Sequence, residues 1–553
     1  MKKNSANARP NYVLPKLCGA DIELGNFIAG VERPGGTGHE ASRALLAQIH
    51  GYPKSNRGYF GNLWSNSYGA QRTGAEPYVV DYAVSGAAEA NPQDTGRKFL
   101  AGNGACVYID LDHLELCIPE VLSAFDHAAA WHAMLRIART ALALANQHRP
   151  ESRPIQVLVN NTDGLGLSAY GSHLNFLISR RTFNNIFWRK THYLPYLASF
   201  QVSGIILTGQ GKAGAENGRP FTPYQISQRA DYLEVLRGLQ TTYCRPVVNE
   251  RDEPLSGRKK DFHLDDPARL HVIHSDSTLA HGSSVLRVGP MQLILACIEN
   301  DVVDARLILD DPVAAVRAYS RDPSLRSRAL LIGGKKLTAV ELQSAYLEEV
   351  KRHQARGLLE GIVPRAAEII ALWEDTLVKM EKGDLMSLAP RLDWVLKLAT
   401  IERAMEQNPS LCWESPEVKI LDHIYSSLGS DGLYWSYEAG GMTEQLVSDE
   451  QIENFTTCPP ADTRAWTRGM LLERAARENI EVDSVNWDKI TFRIRSSHGW
   501  PVLRTIDLDN PLGFTQERTQ ALFDSSASFN ELLDELKAMS TADAQPEPLT
   551  AVN

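Results

Sequence analysis

A chain of 553 residues, 43% apolar and 22% charged, is long enough to bury a large core and has the composition of an ordinary soluble globular protein. Its net charge of −10 argues against a general nucleic-acid binder, and no apolar run reaches the length of about eighteen residues that a membrane span needs. The seven cysteines are scattered without C-x-x-C spacing, so neither a zinc site nor a disulfide framework is expected and a reducing, cytoplasmic setting is the default.

In chain order, residues 1–10 carry Lys2 and Lys3 but no following apolar stretch, and do not read as a secretory signal. Residues 14–25 read as a strand, with Cys18, Ala20, Ile22 and Leu24 on one face and Asp21 and Glu23 on the other. Residues 26–97 read as a long, mobile, glycine-rich loop broken by a helix-like piece at 41–50. Its Pro34–Gly38 cluster lacks the Gly-Lys-Ser/Thr ending of a phosphate loop.

The most informative stretch follows. Over residues 107–111, Val107, Ile109 and Leu111 point one way while Tyr108, Asp110 and Asp112 point the other. Glu115 and Glu120 lie just beyond. Unpaired carboxylates this crowded repel one another unless water or a cation lies among them.

A strong helix is expected over 119–147, with Arg136 and Arg139 on its wet side and His127, Trp131 and His132 as packing or surface residues. A strand is expected over 155–160, then a turn, then a segment at 171–176 in which His173 and Asn175 share a face. Residues 202–211 read as a strand-to-turn unit, and 269–273 as a strand with Arg269 and His271 on one face. Helices are expected at 291–300, 339–356, 365–380 and 392–405. After the Cys458-Pro459-Pro460 break come a helix at 463–477, strands at 487–494 and 502–506, and a last helix at 529–539. This divides the chain into a large unit (1–455), a small C-terminal unit (456–540) and a tail (541–553) with little to bury.

Four strands thus aim acids, imidazoles or arginine at one face. Hard carboxylate oxygens suit Mg²⁺ and arginine suits phosphate, so the pattern points to a nucleotide polyphosphate held by divalent ions.

The motifs that carry this set are Gly19–Glu23, Asn103–Glu120, Asn160–Gly164, Tyr170–His173, Ser227–Glu234, Arg251–Pro254, Arg269–Ile273, Asp462–Ala465 and Trp487-Asp488. In this order they resemble the Pup ligase and Pup deamidase/depupylase family, relatives of glutamine synthetase. The resemblance implies a mixed α/β (α+β) fold, a concave antiparallel sheet packed on helices with a small C-terminal domain. It places Asp21, Tyr108 and Glu115 at Mg²⁺, with Glu23, His173 and His271 as further ligands or neighbours. It sets Trp487 against the adenine of ATP, makes Arg269, Arg229 and Ile118 nucleotide contacts, and makes Asp110 the catalytic aspartate. Pup or a Pup-like small protein modifier, free or conjugated, is the implied partner, with no nucleic acid and no membrane. The long connection after Glu23 and the five-step spacing from Asp110 to Glu115 resemble the depupylase branch, with an ATP-dependent carboxylate–amine ligase as the alternative and a non-catalytic regulatory relative as a third reading. The chain departs from the family at Asp21 (for Glu), Cys106 (for Arg), Leu174 (for Glu) and Trp435-Ser436 (for Asn-Arg). Arg229, Arg464 and Arg468 remain as anion contacts or structural ion pairs.

Overall fold

The apolar half of the first strand, β1 (Cys18–Ile28), is fully buried at Cys18, Ile22 and Leu24, while Asp21 and Glu23 on its other face are half-buried. This alternation makes β1 the centre of an eight-stranded sheet. The computed structural model describes residues 13–33, 36–53, 95–164, 168–252, 264, 266–495 and 499–543. The other strands of this sheet are β2 (Tyr52–Pro53), β3 (Thr95–Phe99), β4 (Cys106–Asp110), β5 (His113–Cys117), β6 (Ile155–Leu158), β7 (Ser172–Ser179) and β8 (Pro267–Val272). Their order is β8-β7-β1-β5-β4-β3-β2, with β6 paired to the far end of β1. All these pairings are antiparallel.

Helices cover the apolar face. The Ala124–Asn146 helix starts at Ser123, whose hydroxyl accepts from the backbone N–H of Phe125 at 3.1 Å and Asp126 at 3.4 Å. Such a cap contributes about 1 kcal/mol. Beside it lies the His281–Glu299 helix, buried along its whole length. Each leucine or isoleucine added to this core contributes roughly 1.5–3 kcal/mol.

A second apolar cluster joins Leu471, Leu472, Phe492, Phe529, Leu532 and Leu536 to Phe99, Cys106, Tyr108 and Cys117. The last three belong to the polar face of the sheet, so the C-terminal elements pack over one end of that face. The corner is pinned by Glu120, whose carboxylate accepts from Arg464 Nε at 2.8 Å and from the Arg468 guanidinium. No helix among the described residues is long and apolar enough to cross a membrane.

Several expectations change. Residues 202–208 are helical, at the end of Tyr193–Ser203 and in Ile205–Thr208, and not a strand. That apolar run is buried on every side, so it carries no periodicity by which to tell the two apart. The helix expected from 291 begins at His281, and Pro290 lies inside it. Leu111 does not continue the core face of β4: it takes φ 53° in the turn to β5 and is exposed. Of the two readings of His127, Trp131 and His132, packing holds, since all three are buried. The C-terminal sheet has a third strand, Glu481–Val485, beside Lys489–Arg495 and Pro501–Asp507. The loop read over 26–97 contains the rest of β1, the Gly38–Gln48 helix, β2 and the start of β3; residues 54–94 lie outside the described residues. The final helix runs through to Asp543, into the stretch read as a tail, and 544–553 lie outside the described residues.

Candidate active site

Strand register assembles the site. Asp21 lies opposite Cys117 on one side and His173 on the other; Glu23 lies opposite Glu115, and Glu115 opposite Tyr108. Asp110 faces His113, and His271 faces Asn175. Directly opposed residues share a face, so all these side chains project into one concavity. The cleft there has a volume of about 690 Å³. Its lining includes Asp21, Glu23, Tyr108, Asp110, Glu115, Ile118, His173, Arg269, His271 and Trp487. Arg229 is the exception among the expected contacts. It is buried behind the cleft wall and donates to the carbonyl of Tyr170.

The ligating atoms form two adjoining groups. In one, Asp21, His173 and His271 bring one ligand atom each within 4.8 Å of one another; in the other, Glu23, Asp110 and Glu115 do the same. His173 Nδ1 is 3.1 Å from Asp21 Oδ2, and Asn175 donates to the other Asp21 oxygen. The Tyr108 hydroxyl donates to Glu115 Oε1 at 2.6 Å, and the Gly171 N–H donates to Glu23 Oε2 at 2.7 Å. The imidazoles of His173 and His271 meet edge to face with centroids 4.9 Å apart.

Electrostatics separate the two groups. Burial raises the Asp21 carboxyl, but the hydrogen bond and charge of His173, with His271 and Arg269, hold it well below the usual carboxylate range. Asp110 is pushed up to about 6, first by burial and then by the charges of Glu23 and Asp21. Glu115 is raised well above its ordinary value by burial and by the charges of Asp21, Glu23 and Asp110. Burial and the Glu115 charge also keep the Tyr108 phenol protonated.

The donor set fits divalent cations. Asp110 Oδ1, Glu115 Oε2 and His173 Nε2 are buried without a hydrogen-bond partner, and mutually repelling carboxylates are the hard oxygen donors that Mg²⁺ takes. Trp487 is half-buried and lines the cleft. It meets Phe99 edge to face at 5.2 Å, and the Arg468 guanidinium lies 4.8 Å from its ring. Such a ring suits stacking of a planar base.

Some site residues escaped the sequence reading. Arg97 lies 3.7 Å over the Tyr108 ring and 3.7 Å from Cys106 Sγ, which brings a guanidinium next to the position where Cys106 departs from the family. Asn175 accepts from Arg269 at 3.0 Å while donating to Asp21, linking the arginine to the acid group. Its place beside His173 was the available signal. Thr241, Thr242 and Arg245 also line the cleft and carried none, and Arg251, another lining residue, was marked only by its place in the Arg251–Pro254 motif. Arg464 and Arg468 are ion-paired to buried Glu120, the structural alternative for both. Of the other departures, Leu174 lies in the main core, and Trp435 and Ser436 are outside the cleft lining.

Comparison with known proteins places this geometry. The profile of the family described as Pup-ligase protein matches residues 19–491. The Pup deamidase/depupylase of Mycolicibacterium smegmatis is 35% identical over 476 residues, 85% of this chain and 88% of that protein. The depupylase of Acidothermus cellulolyticus is 34% identical, covering 83% of this chain and 87% of its own. A Pup–protein ligase of Acidimicrobium ferrooxidans is 33% identical, covering 76% and 88%. Among solved structures, the complex between Pup and its ligase PafA superposes with a TM-score of 0.72 at 21% identity, covering 98% of this chain and 97% of that one. PafA with ADP gives 0.67 at 23% identity, covering 86% and 94%. These likenesses carry the glutamine synthetase-like fold. With the profile spanning most of the sheet, the helices and the start of the C-terminal unit, the chain belongs to the Pup-ligase family.

Proposed function

We propose that the chain is an ATP- and Mg²⁺-dependent amide or isopeptide hydrolase of the depupylase type, acting on Pup or a Pup-like modifier in the cytoplasm. The observation that carries the reading is Asp110, which groups with Glu23 and Glu115 in the lining of the cleft and has one buried carboxylate oxygen unbonded. The hydrolase direction is supported by the depupylase relatives, which align over a larger share of this chain than the Pup–protein ligases do. The five-step spacing from Asp110 to Glu115 points the same way.

Asp21, His173 and His271 would hold one cation and Glu23 and Glu115 another, with Tyr108 fixing the Glu115 carboxylate. Trp487 would take the adenine, and Arg269 would meet phosphate or substrate carboxylate. When bound, Mg²⁺ would supply the positive charge that offsets repulsion among the acids and between them and the phosphates of ATP. Asp110 then adds to the carbonyl carbon of a glutamine or isopeptide side chain. The C–N bond breaks as the nitrogen takes a proton from water, and it leaves as ammonia or a lysine amine. Water adds to the acyl carboxylate, returning Asp110 and releasing a glutamate. In the base variant of this scheme Asp110 takes the proton of the attacking water, and the same bonds break without an acyl-enzyme.

The ligase reading has its own support in the Pup–protein ligase relatives, and there Asp110 would accept the proton of an attacking lysine. The test offers the protein ATP, Mg²⁺ and either a modifier ending in glutamine or one ending in glutamate plus an amine. Ammonia release from the first, without ADP formed in step with product, is the expected result. One ADP per new amide bond from the second would overturn the hydrolase reading in favour of the ligase.

A further inference from the structure

Away from the cleft, three helices bring His132, His281 and Glu438 together, one ligand atom of each within 4.8 Å of the others. His132 comes from the middle of Ala124–Asn146, His281 is the first residue of His281–Glu299, and Glu438 lies on Leu433–Ala439. None of the three lines the cleft.

The state of His281 calls for a partner. Its side chain is fully buried, and neither ring nitrogen makes a hydrogen bond; Nε2 stands 3.9 Å from Glu438 Oε1. Buried polar atoms are normally satisfied, by protein, water or an ion. His132 is oriented to complement it. Its Nε2 is 2.8 Å from the Leu279 carbonyl, which only accepts, so Nε2 carries the proton and Nδ1 presents a lone pair. A second ring nitrogen tied to a carbonyl is the arrangement that orients metal-bound histidines. The two rings meet edge to face with centroids 4.3 Å apart. Glu438 is partly exposed and connects the group to solvent.

We propose that His132, His281 and Glu438 form a site for a borderline transition-metal ion of the Zn²⁺ or Co²⁺ class, separate from the oxygen-rich cleft. Two neutral imidazoles and a carboxylate are a donor set that zinc takes with bonds of about 2.0–2.2 Å. Tetrahedral bonds of this length set two ligand atoms about 3.4 Å apart, so the 3.9 Å between His281 Nε2 and Glu438 Oε1 closes by about half an ångström on binding. Water from the Glu438 side completes the coordination. The ion ties together helices from three parts of the chain, and binding the folded state alone makes it stabilising.

The test uses chelator-treated full-length protein and Co²⁺ as the probe. Asp21, His173 and His271 in the cleft also combine imidazole with carboxylate, so His271→Ala serves as the control. The expected result is one tightly bound Co²⁺ with visible ligand-field absorption in the wild type and in His271→Ala. That signal is lost in His281→Ala. In Glu438→Gln, which keeps helix and volume, the affinity falls by at least about tenfold. Zn²⁺ should raise the melting temperature of the wild type and leave that of Glu438→Gln unchanged. Equal Co²⁺ binding in wild type and Glu438→Gln, or loss of the signal in His271→Ala, would overturn the proposal.

Discussion

Asp21 and His173 are direct register partners on adjacent strands, and their side chains meet with Nδ1 3.1 Å from Oδ2. The pairing has a chemical consequence. With Asn175 on its other oxygen, the Asp21 carboxylate stays ionised and fixed in place. An Asp21→Asn change keeps the shape but removes the charge that His173 and His271 face. Mn²⁺ binding, followed by electron paramagnetic resonance, should weaken by about tenfold or more while the far-ultraviolet circular dichroism is unchanged. Unaltered Mn²⁺ affinity would take Asp21 out of the cation site.

Asp110→Asn should abolish turnover and spare the fold. The core face of β4 is Val107 and Ile109, untouched by the change, and Asp110 itself is half-buried at the strand end. Loss of a nucleophile or general base costs roughly 10²-fold or more in rate. A variant with near wild-type turnover would move the chemistry to another residue.

How much of this was legible follows from where periodicity survives. β1 and the first half of β7 alternate buried with half-buried positions, and β4 and β8, though buried on both faces, still alternate apolar with polar side chains, so alternation in the sequence exposed both the strands and the unusual acids on them. Leu111 broke the pattern because a turn residue with positive φ points by its turn and not by the pleat. The His281–Glu299 helix had no stripe to read, since every one of its residues is buried, and Pro290 looked like a helix start where it is an interior residue. Arg229 matched the family motif yet lies behind the cleft wall, a matter of depth that spacing along the chain does not encode. The meeting of His132 with His281 and Glu438 is likewise a product of tertiary packing.

Glu120 joins the sheet to the C-terminal elements and gives a stability test. Although burial opposes ionisation, Arg468 and Arg464 hold its carboxyl down to about 2, against an ordinary 4.5. Its folded value is lowered, so its stabilisation is complete above about pH 4.5 and is lost as the pH falls towards 2. Glu120→Gln leaves two buried guanidinium groups without their counter-charge and should cost roughly 3–5 kcal/mol in denaturant unfolding near neutral pH. The gap between variant and wild type should narrow on acidification below pH 4.5. A gap that stays constant between pH 6 and about pH 3 would contradict the ion-pair account.

In the proposed function the acid-lined face is a cradle for divalent cations and a nucleotide. Calorimetric titration of ATP into the full-length protein, with Mg²⁺ and then with excess chelator, tests it most directly. Without cations, the negative charge of the cleft acids, that of Asp21 foremost, repels the polyphosphate, so binding should be strong with Mg²⁺ and fall by at least about tenfold in chelator. Equal affinity in the two titrations would contradict the claim.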